Sequence, residues 1–214
     1  MEKKMMALVV FICASMIAFA QTDTKAKKLL DEVSAKYDAY QTIQSDFSFS
    51  VQQAQGENHI DKGSLFLNKS KNQFRIELSE QDIISDGKST WSILKEDQEV
   101  QVSESDNNTE SIGPNNLFTF YKKGFAYKSV NDESLGKDML NVIELTPTDT
   151  KTNYAKIKLR VNKNKHIHDV AVLDKSGTRY TYTIHTLYVN HRLPTTKFTF
   201  NTSNYPNYEI VDLR

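Results

Sequence analysis

Apolar and polar residues alternate along most of this chain, and the departures from that alternation mark its other elements. Residues 5–19 form an apolar run. From Asp23 the period lengthens to three and four, with Ala26, Leu29 or Leu30, Val33, Tyr37 and Tyr40 recurring along one face. That spacing predicts an amphipathic helix, capped by Thr22 or Asp23. The period then drops to two at residues 46–51, where Phe47, Phe49 and Val51 alternate with Ser and Asp. Strands are expected from there on: residues 64–67, 74–78, 83–93 folded about Asp86-Gly87, 99–102, 142–146, 155–161, 168–173, 178–187 and 197–200. Asp86-Gly87 is the strongest hairpin signal. Residues 56–63 and 68–72 read as turns, residues 103–112 as a polar loop, 126–130 as a strand or a short link, and 208–214 as a tail.

A second helical pattern interrupts the strands at residues 113–124. Leu117, Phe118, Phe120 and Tyr121 stand at i, i+1, i+3 and i+4, which gathers them on one face of a helical turn. Pro114 suits its start, Gly124 its stop, and Lys122 and Lys123 complement the negative end of the dipole. One helix, a long antiparallel meander and this apolar turn predict a mainly β, α+β fold, a single strongly curved sheet with helical cover on its concave face. The inward set comprises Phe47, Phe49, Leu65, Leu67, Phe74, Ile76, Trp91, Ile93, Ile143, Leu145, Ile157, Leu159, Tyr180, Tyr182, Ile184, Phe198 and Phe200. Periodicity alone does not separate a solid interior from a hollow one.

The apolar run at the start changes the cellular setting. Lys3 and Lys4 precede it and Ala18-Phe19-Ala20 closes it, the pattern of a secretory signal peptide spanning residues 1–20. Cys13 is the single cysteine, and Val10-Phe11-Ile12 before it lacks the small residue of a lipid-attachment site. The mature chain, residues 21–214, is read as one domain without disulfides. The full sequence's 27 acidic and 27 basic residues become 26 and 25 once Glu2, Lys3 and Lys4 leave with the leader, a net charge of −1 that gives nucleic acid no basic footprint.

Chemistry-bearing motifs are sparse. No nucleophile motif, phosphate-binding glycine loop or zinc spacing occurs, so the chain is not read as an enzyme and no cofactor is expected. His166 and His168 could share one strand face as metal ligands, but with no third ligand in sight they read as the polar start of a strand, and no metal is assigned. The sequons at Asn68, Asn107 and Asn201 are of the number an Asn-rich chain produces by chance.

Taken in order, these features resemble the periplasmic lipoprotein carrier family of the Lol system. A leader and a helix precede Gly63-Ser64-Leu65-Phe66 and Phe74-Arg75. The hairpin Ile84-Ser85-Asp86-Gly87-Lys88-Ser89-Thr90-Trp91 follows, then residues 98–102, Glu144-Leu145-Thr146-Pro147, Ile167-His168 and Lys197-Phe198-Thr199-Phe200. The resemblance implies an unclosed β-barrel with a lid over an apolar cavity. It also implies a monomer in the periplasm that carries the acyl chains of lipoproteins from an inner-membrane ABC exporter to an outer-membrane acceptor. Phe47, Phe49, Leu65, Leu67, Phe74, Ile76, Trp91, Ile93, Phe198 and Phe200 would then line the acyl-chain cavity, with Leu117, Phe118, Phe120 and Tyr121 as the lid's underside. One departure stands out: the family carries Arg-Pro, its arginine associated with lid closure, where this chain has Lys69-Ser70. Lys69 becomes the possible latch, without arginine's planar fork. The rival readings are a periplasmic lipid- or lipoprotein-sensing regulatory module, a general apolar-ligand or glycolipid binder and, more distantly, a metal-dependent hydrolase.

Overall fold

The computed structural model describes residues 23–56, 58–105, 112–113 and 115–214. The leader, the Asn107 sequon and Pro114 lie outside them. Helix α1, Thr24–Asp38, is capped by Asp23, whose carboxylate accepts the N–H groups of Lys25 at 2.8 Å and Ala26 at 3.2 Å. The other oxygen of that carboxylate accepts the N–H of Ser129 at 2.9 Å, and the Asp23 N–H donates to the Tyr127 carbonyl. One residue thus both starts the helix and fastens it to a distant strand. The Ser129 bond is the first cause holding the Asp23 carboxyl below the usual range, helped by the Ala26 N–H. Ala26, Leu30, Val33 and Tyr37 form the buried stripe.

The strands are β1 (Thr42–Gln52), β2 (Asn58–Asn68), β3 (Gln73–Glu77), β4 (Gln81–Ser85), β5 (Ser89–Leu94), β6 (Glu99–Glu104), β7 (Phe125–Ser129), β8 (Glu133–Leu135), β9 (Asp138–Pro147), β10 (Tyr154–Val161), β11 (Ile167–Asp174), β12 (Arg179–Ile184), β13 (Tyr188–Val189) and β14 (Glu209–Asp212). They follow the order β14-β6-β5-β4-β3-β2-β1-β12-β11-β10-β9-β7, with β13 against β1 and β8 against β9. The two ends of that path do not pair with one another, so the sheet is curved but unclosed. All neighbours are antiparallel except β14, which runs parallel to β6.

Gly63 shows how tightly the sheet is drawn. The turn expected at residues 56–63 would include it, but it lies within β2, opposite Phe47. A Cβ there would stand 2.5 Å from the Glu77 carbonyl oxygen and 3.1 Å from the Phe47 ring, so only glycine lets the Phe47 ring and the end of β3 approach this closely.

Register decides which face each side chain joins, because directly opposed residues share a face. On the concave face the pairings run Ile43–Leu67–Phe74–Ser85–Thr90–Ser103 and Leu65–Ile76–Ile83–Ser92–Gln101. That face is apolar as far as β3, mixed at β4, where Ile83 and Ser85 share it, and hydroxyl- and amide-lined in β5 and β6. The convex face does the reverse, through Phe66–Arg75–Ile84–Trp91–Val102 and Asp82–Ile93–Val100–Ile210.

The sequence pattern expects Trp91, Ile93 and Phe200 inside the barrel, and the structure corrects this. They belong to a second cluster on the convex face, with Ile84 and Val100 at its centre and Tyr205 and Tyr208 against it. Alternation shows that residues 91 and 93 share a face, but only the Ile84–Trp91 register shows which one. The expected strand at 197–200 is also absent. Residues Thr195–Phe198 form a 3-10 turn after Pro194, and the strand falls instead in the expected tail, as β14. Lys197 lies over the Phe66 ring at 4.0 Å and pairs with Glu77 at 3.0 Å, which puts this turn on the convex side. Phe198, buried in the turn, therefore leaves the inward set as well. Phe200 stacks between Trp91 and Tyr205, with ring centroids 5.6 Å and 5.4 Å away.

Candidate functional site

The concave face between β3 and β7 forms one continuous apolar surface. Phe47, Leu65, Leu67 and Ile76 from the first strands meet Ile143, Leu145, Ile157, Leu159, Val170 and Val172 from the later ones. Phe49 and Phe74 lie at its partly open margin, where Phe49 stacks on Tyr182 with centroids 4.6 Å apart. Burial pushes the Tyr182 hydroxyl up to about 12, so it stays a neutral phenol.

Helix α1 and residues 115–123 cover this surface. The segment turns on the Asn116 carbonyl, which accepts the N–H groups of Thr119 at 2.8 Å and Phe120 at 3.0 Å, and closes in a 3-10 turn at Phe120–Lys122. It is tighter than the expected α-helical turn, yet Leu117, Phe118, Phe120 and Tyr121 are all buried, none more than 6% exposed. The Phe118 ring stacks on Tyr37 of α1 at 4.6 Å and 13°. Tyr37 in turn accepts the N–H of Ile167 with its hydroxyl, and burial raises that hydroxyl far above a free phenol. Tyr121 meets Ser34 of α1 through its hydroxyl, held up to about 12 by burial, and its carbonyl accepts from Tyr127 at 2.8 Å.

Lys69 reaches this assembly from the other side. Its ammonium donates to the Tyr37 carbonyl at 2.6 Å and to the Asp38 carbonyl at 3.3 Å, satisfying acceptors that the end of α1 leaves open. The Asp38 carboxylate pairs with Lys122 of the covering segment at 2.6 Å. Lys69, the end of α1, Asp38 and Lys122 therefore form a chain of polar contacts ending on the covering segment. Desolvation lowers the Lys69 pKa; the Asp38 carboxylate opposes this and the Lys122 ammonium adds to it.

The Tyr37 stack and the Asp38–Lys122 pair are not legible in the sequence. Their members lie more than eighty residues apart, and neither a periodicity nor a motif connects them.

His166 and His168 do not converge. His166 Nε2 sits 2.8 Å from the Tyr40 hydroxyl, with its pKa lowered by burial and secondarily by Lys36. His168 Nδ1 instead faces Asp169 at 2.5 Å, in a cluster where Arg160 grips the same carboxylate and also reaches Glu133. Among the described residues no group of three or more His, Cys, Asp or Glu side chains is placed to hold a metal.

The family model described as outer membrane lipoprotein carrier protein LolA matches residues 38–201, most of the chain. The chain belongs to the LolA family. Its fold is similar to that of an uncharacterized conserved protein from Thermus thermophilus, with a TM-score of 0.57 at 10% identity over 88% of this chain and 99% of the other. It is also similar to a LolA superfamily protein from Nitrosomonas europaea, with a TM-score of 0.43 at 14% identity over 82% and 97% of the two chains. A search of curated proteins finds no significant match. The helix, the unclosed sheet and the buried covering segment of this chain enclose an apolar interior.

Proposed function

We propose that this protein is a periplasmic carrier that takes up the acyl chains of lipoproteins beneath its lid and moves them from an inner-membrane ABC exporter to an outer-membrane acceptor. The observation that supports this most directly is the lid itself. Four apolar side chains of one short segment occupy the concave face, and their burial is of the kind an apolar ligand could replace. The leader-like residues 1–20 agree with a periplasmic setting.

Magnitudes fit a lid that competes with cargo. Three acyl chains of about a dozen methylenes each would gain roughly 30 kcal/mol on full burial, and unseating four large lid side chains costs roughly 6–12 kcal/mol. The difference, roughly 18–24 kcal/mol, meets the ceiling of non-covalent affinity at about 18–21 kcal/mol. Burial of the chains is therefore incomplete, and cargo passes directly between apolar sites without crossing water.

The test is release of an acylated lipoprotein from spheroplasts into a soluble complex, followed by native mass spectrometry. Wild-type protein should leave with one acylated lipoprotein, and the Phe118→Glu variant, which unseats the lid from Tyr37, should release none while keeping its β-sheet circular dichroism. A wild-type protein that retains only a small lipid points to a general lipid binder. Normal release by Phe118→Glu sinks the lid mechanism.

A further inference from the structure

Among the described residues the closed lid leaves one side of the apolar interior open. Between the lid's far edge, the start of β7 and the β9–β10 turn lies a groove of about 530 Å³, whose lining includes Phe120, Phe125, Pro147 and Tyr154 together with Ile112 and Thr152. That volume falls in the range of sites that hold small apolar ligands. Phe120 belongs to the main core, and Ile112, Phe125 and Tyr154 pack against it, so the floor of the groove is continuous with the surface beneath the lid. The walls are braced. Phe120 meets Phe125 edge-on at 5.9 Å, and the Tyr154 hydroxyl accepts the N–H of Ile112 at 3.1 Å.

The rim carries Lys122, Lys123 and Asp149. Lys122 is already paired with Asp38, which leaves Lys123 and Asp149 as opposite charges that balance among the described residues. A ligand would be selected by its apolar body and not by the charge of its head.

We propose that this groove binds a single alkyl chain while the lid is shut, and that it is where a lipid chain first lodges before the lid moves. The entrance role rests on the carrier reading above; the capacity to bind one chain does not.

Photolabelling tests it directly. The mature chain is incubated with a fatty acid bearing a diazirine at its terminal carbon, or with the matching fatty alcohol, and adducts are mapped by mass spectrometry. Both probes should label Phe125, Pro147 or Tyr154 to similar extents, and affinity should rise roughly fourfold per added methylene until the groove is filled. Thr152→Trp, which fills the groove from an exposed turn, should cut labelling by about fifteenfold, the equivalent of losing contact with two methylenes, with the thermal melt unchanged. Adducts confined to Leu65, Ile143 or Leu145, labelling of the acid but not the alcohol, or full labelling of Thr152→Trp would each overturn the proposal. The same preparations are assayed for lipoprotein release. Release without groove labelling refutes the groove and leaves the carrier standing. Groove labelling without release refutes the carrier and keeps the chain site, and failure of both removes both.

Discussion

Replacing Lys69 with Met should loosen the lid without unfolding the sheet. Met keeps the apolar stem of the side chain and deletes the ammonium that bonds the Tyr37 carbonyl at 2.6 Å and the Asp38 carbonyl at 3.3 Å. A hydrogen bond to a charged group contributes about 1.5–3 kcal/mol, and a cation at a helix C-terminus about 0.3–1 kcal/mol. Two effects reduce the loss: desolvation already disfavours this ammonium, and the released carbonyls lie near enough to solvent to find water. A net cost of about 1–2 kcal/mol follows, which raises the population of any state with the end of α1 detached by about 5–30-fold. Hydrogen exchange reads this at the lid amides of Thr119, Phe120 and Lys122, whose bonds of 2.8–3.1 Å break when the segment opens. Those amides should exchange about 5–30 times faster in Lys69→Met, while amides of β9 and β10 change little. Lys69→Arg should restore protection, and Lys71→Met, at an exposed neighbouring lysine, should not differ from wild type. Unchanged lid exchange in Lys69→Met, or acceleration spread evenly over the sheet, would refute the chain of contacts from Lys69 to the lid.

Three further outcomes are expected. Gly63→Ala should lower the thermal midpoint by several degrees, since its Cβ would meet the Glu77 carbonyl oxygen at 2.5 Å and overpacking costs about 1–3 kcal/mol; a midpoint equal to wild type would show that β3 yields freely. Trp91 is the single tryptophan and stacks on Phe200 on the convex face, so its emission should stay constant when an acyl ligand binds and shift in Phe200→Ala; a ligand-induced shift matching that of Phe200→Ala would place the ligand on the wrong side. His166 has a folded pKa below its ordinary value of 6.5, mainly through burial. Folding therefore favours the neutral imidazole, and stability is full above pH 6.5 and falls as acid drives the ring toward protonation. Thermal melts should show this slope below pH 6.5 and its reduction in His166→Gln, and equal slopes would remove His166 as the cause.

Much of this architecture was written locally. The helical period of residues 26–37 and the capping carboxylate of Asp23 specify α1 wherever it docks, and Asp86-Gly87 closes its hairpin with a glycine at φ +94°. The apolar burst at Leu117, Phe118, Phe120 and Tyr121 announced a covering segment, because four large apolar side chains in five residues need a surface to bury against. The family pattern brought Lys69 forward, although no local rule links it to α1.

What remained was decided by pairings between distant residues. Period two states that Trp91 and Ile93 share a face, but a sheet has two faces, and this one exchanges its apolar side at β4. Only the register with Ile84 and Asp82 assigns Trp91 and Ile93 to the convex cluster. The strand at Glu209–Asp212 forms because β6 offers it a parallel edge, and Phe198 is buried in a turn because Pro194 and the Lys197 contacts hold the chain against Phe66. Likewise the Tyr37–Phe118 stack and the Asp38–Lys122 pair exist only once the curved sheet brings the end of α1 to the lid. Local sequence determines which elements form and which of their faces are apolar; tertiary structure decides what those faces meet, because register and curvature are properties of pairs of segments and not of one.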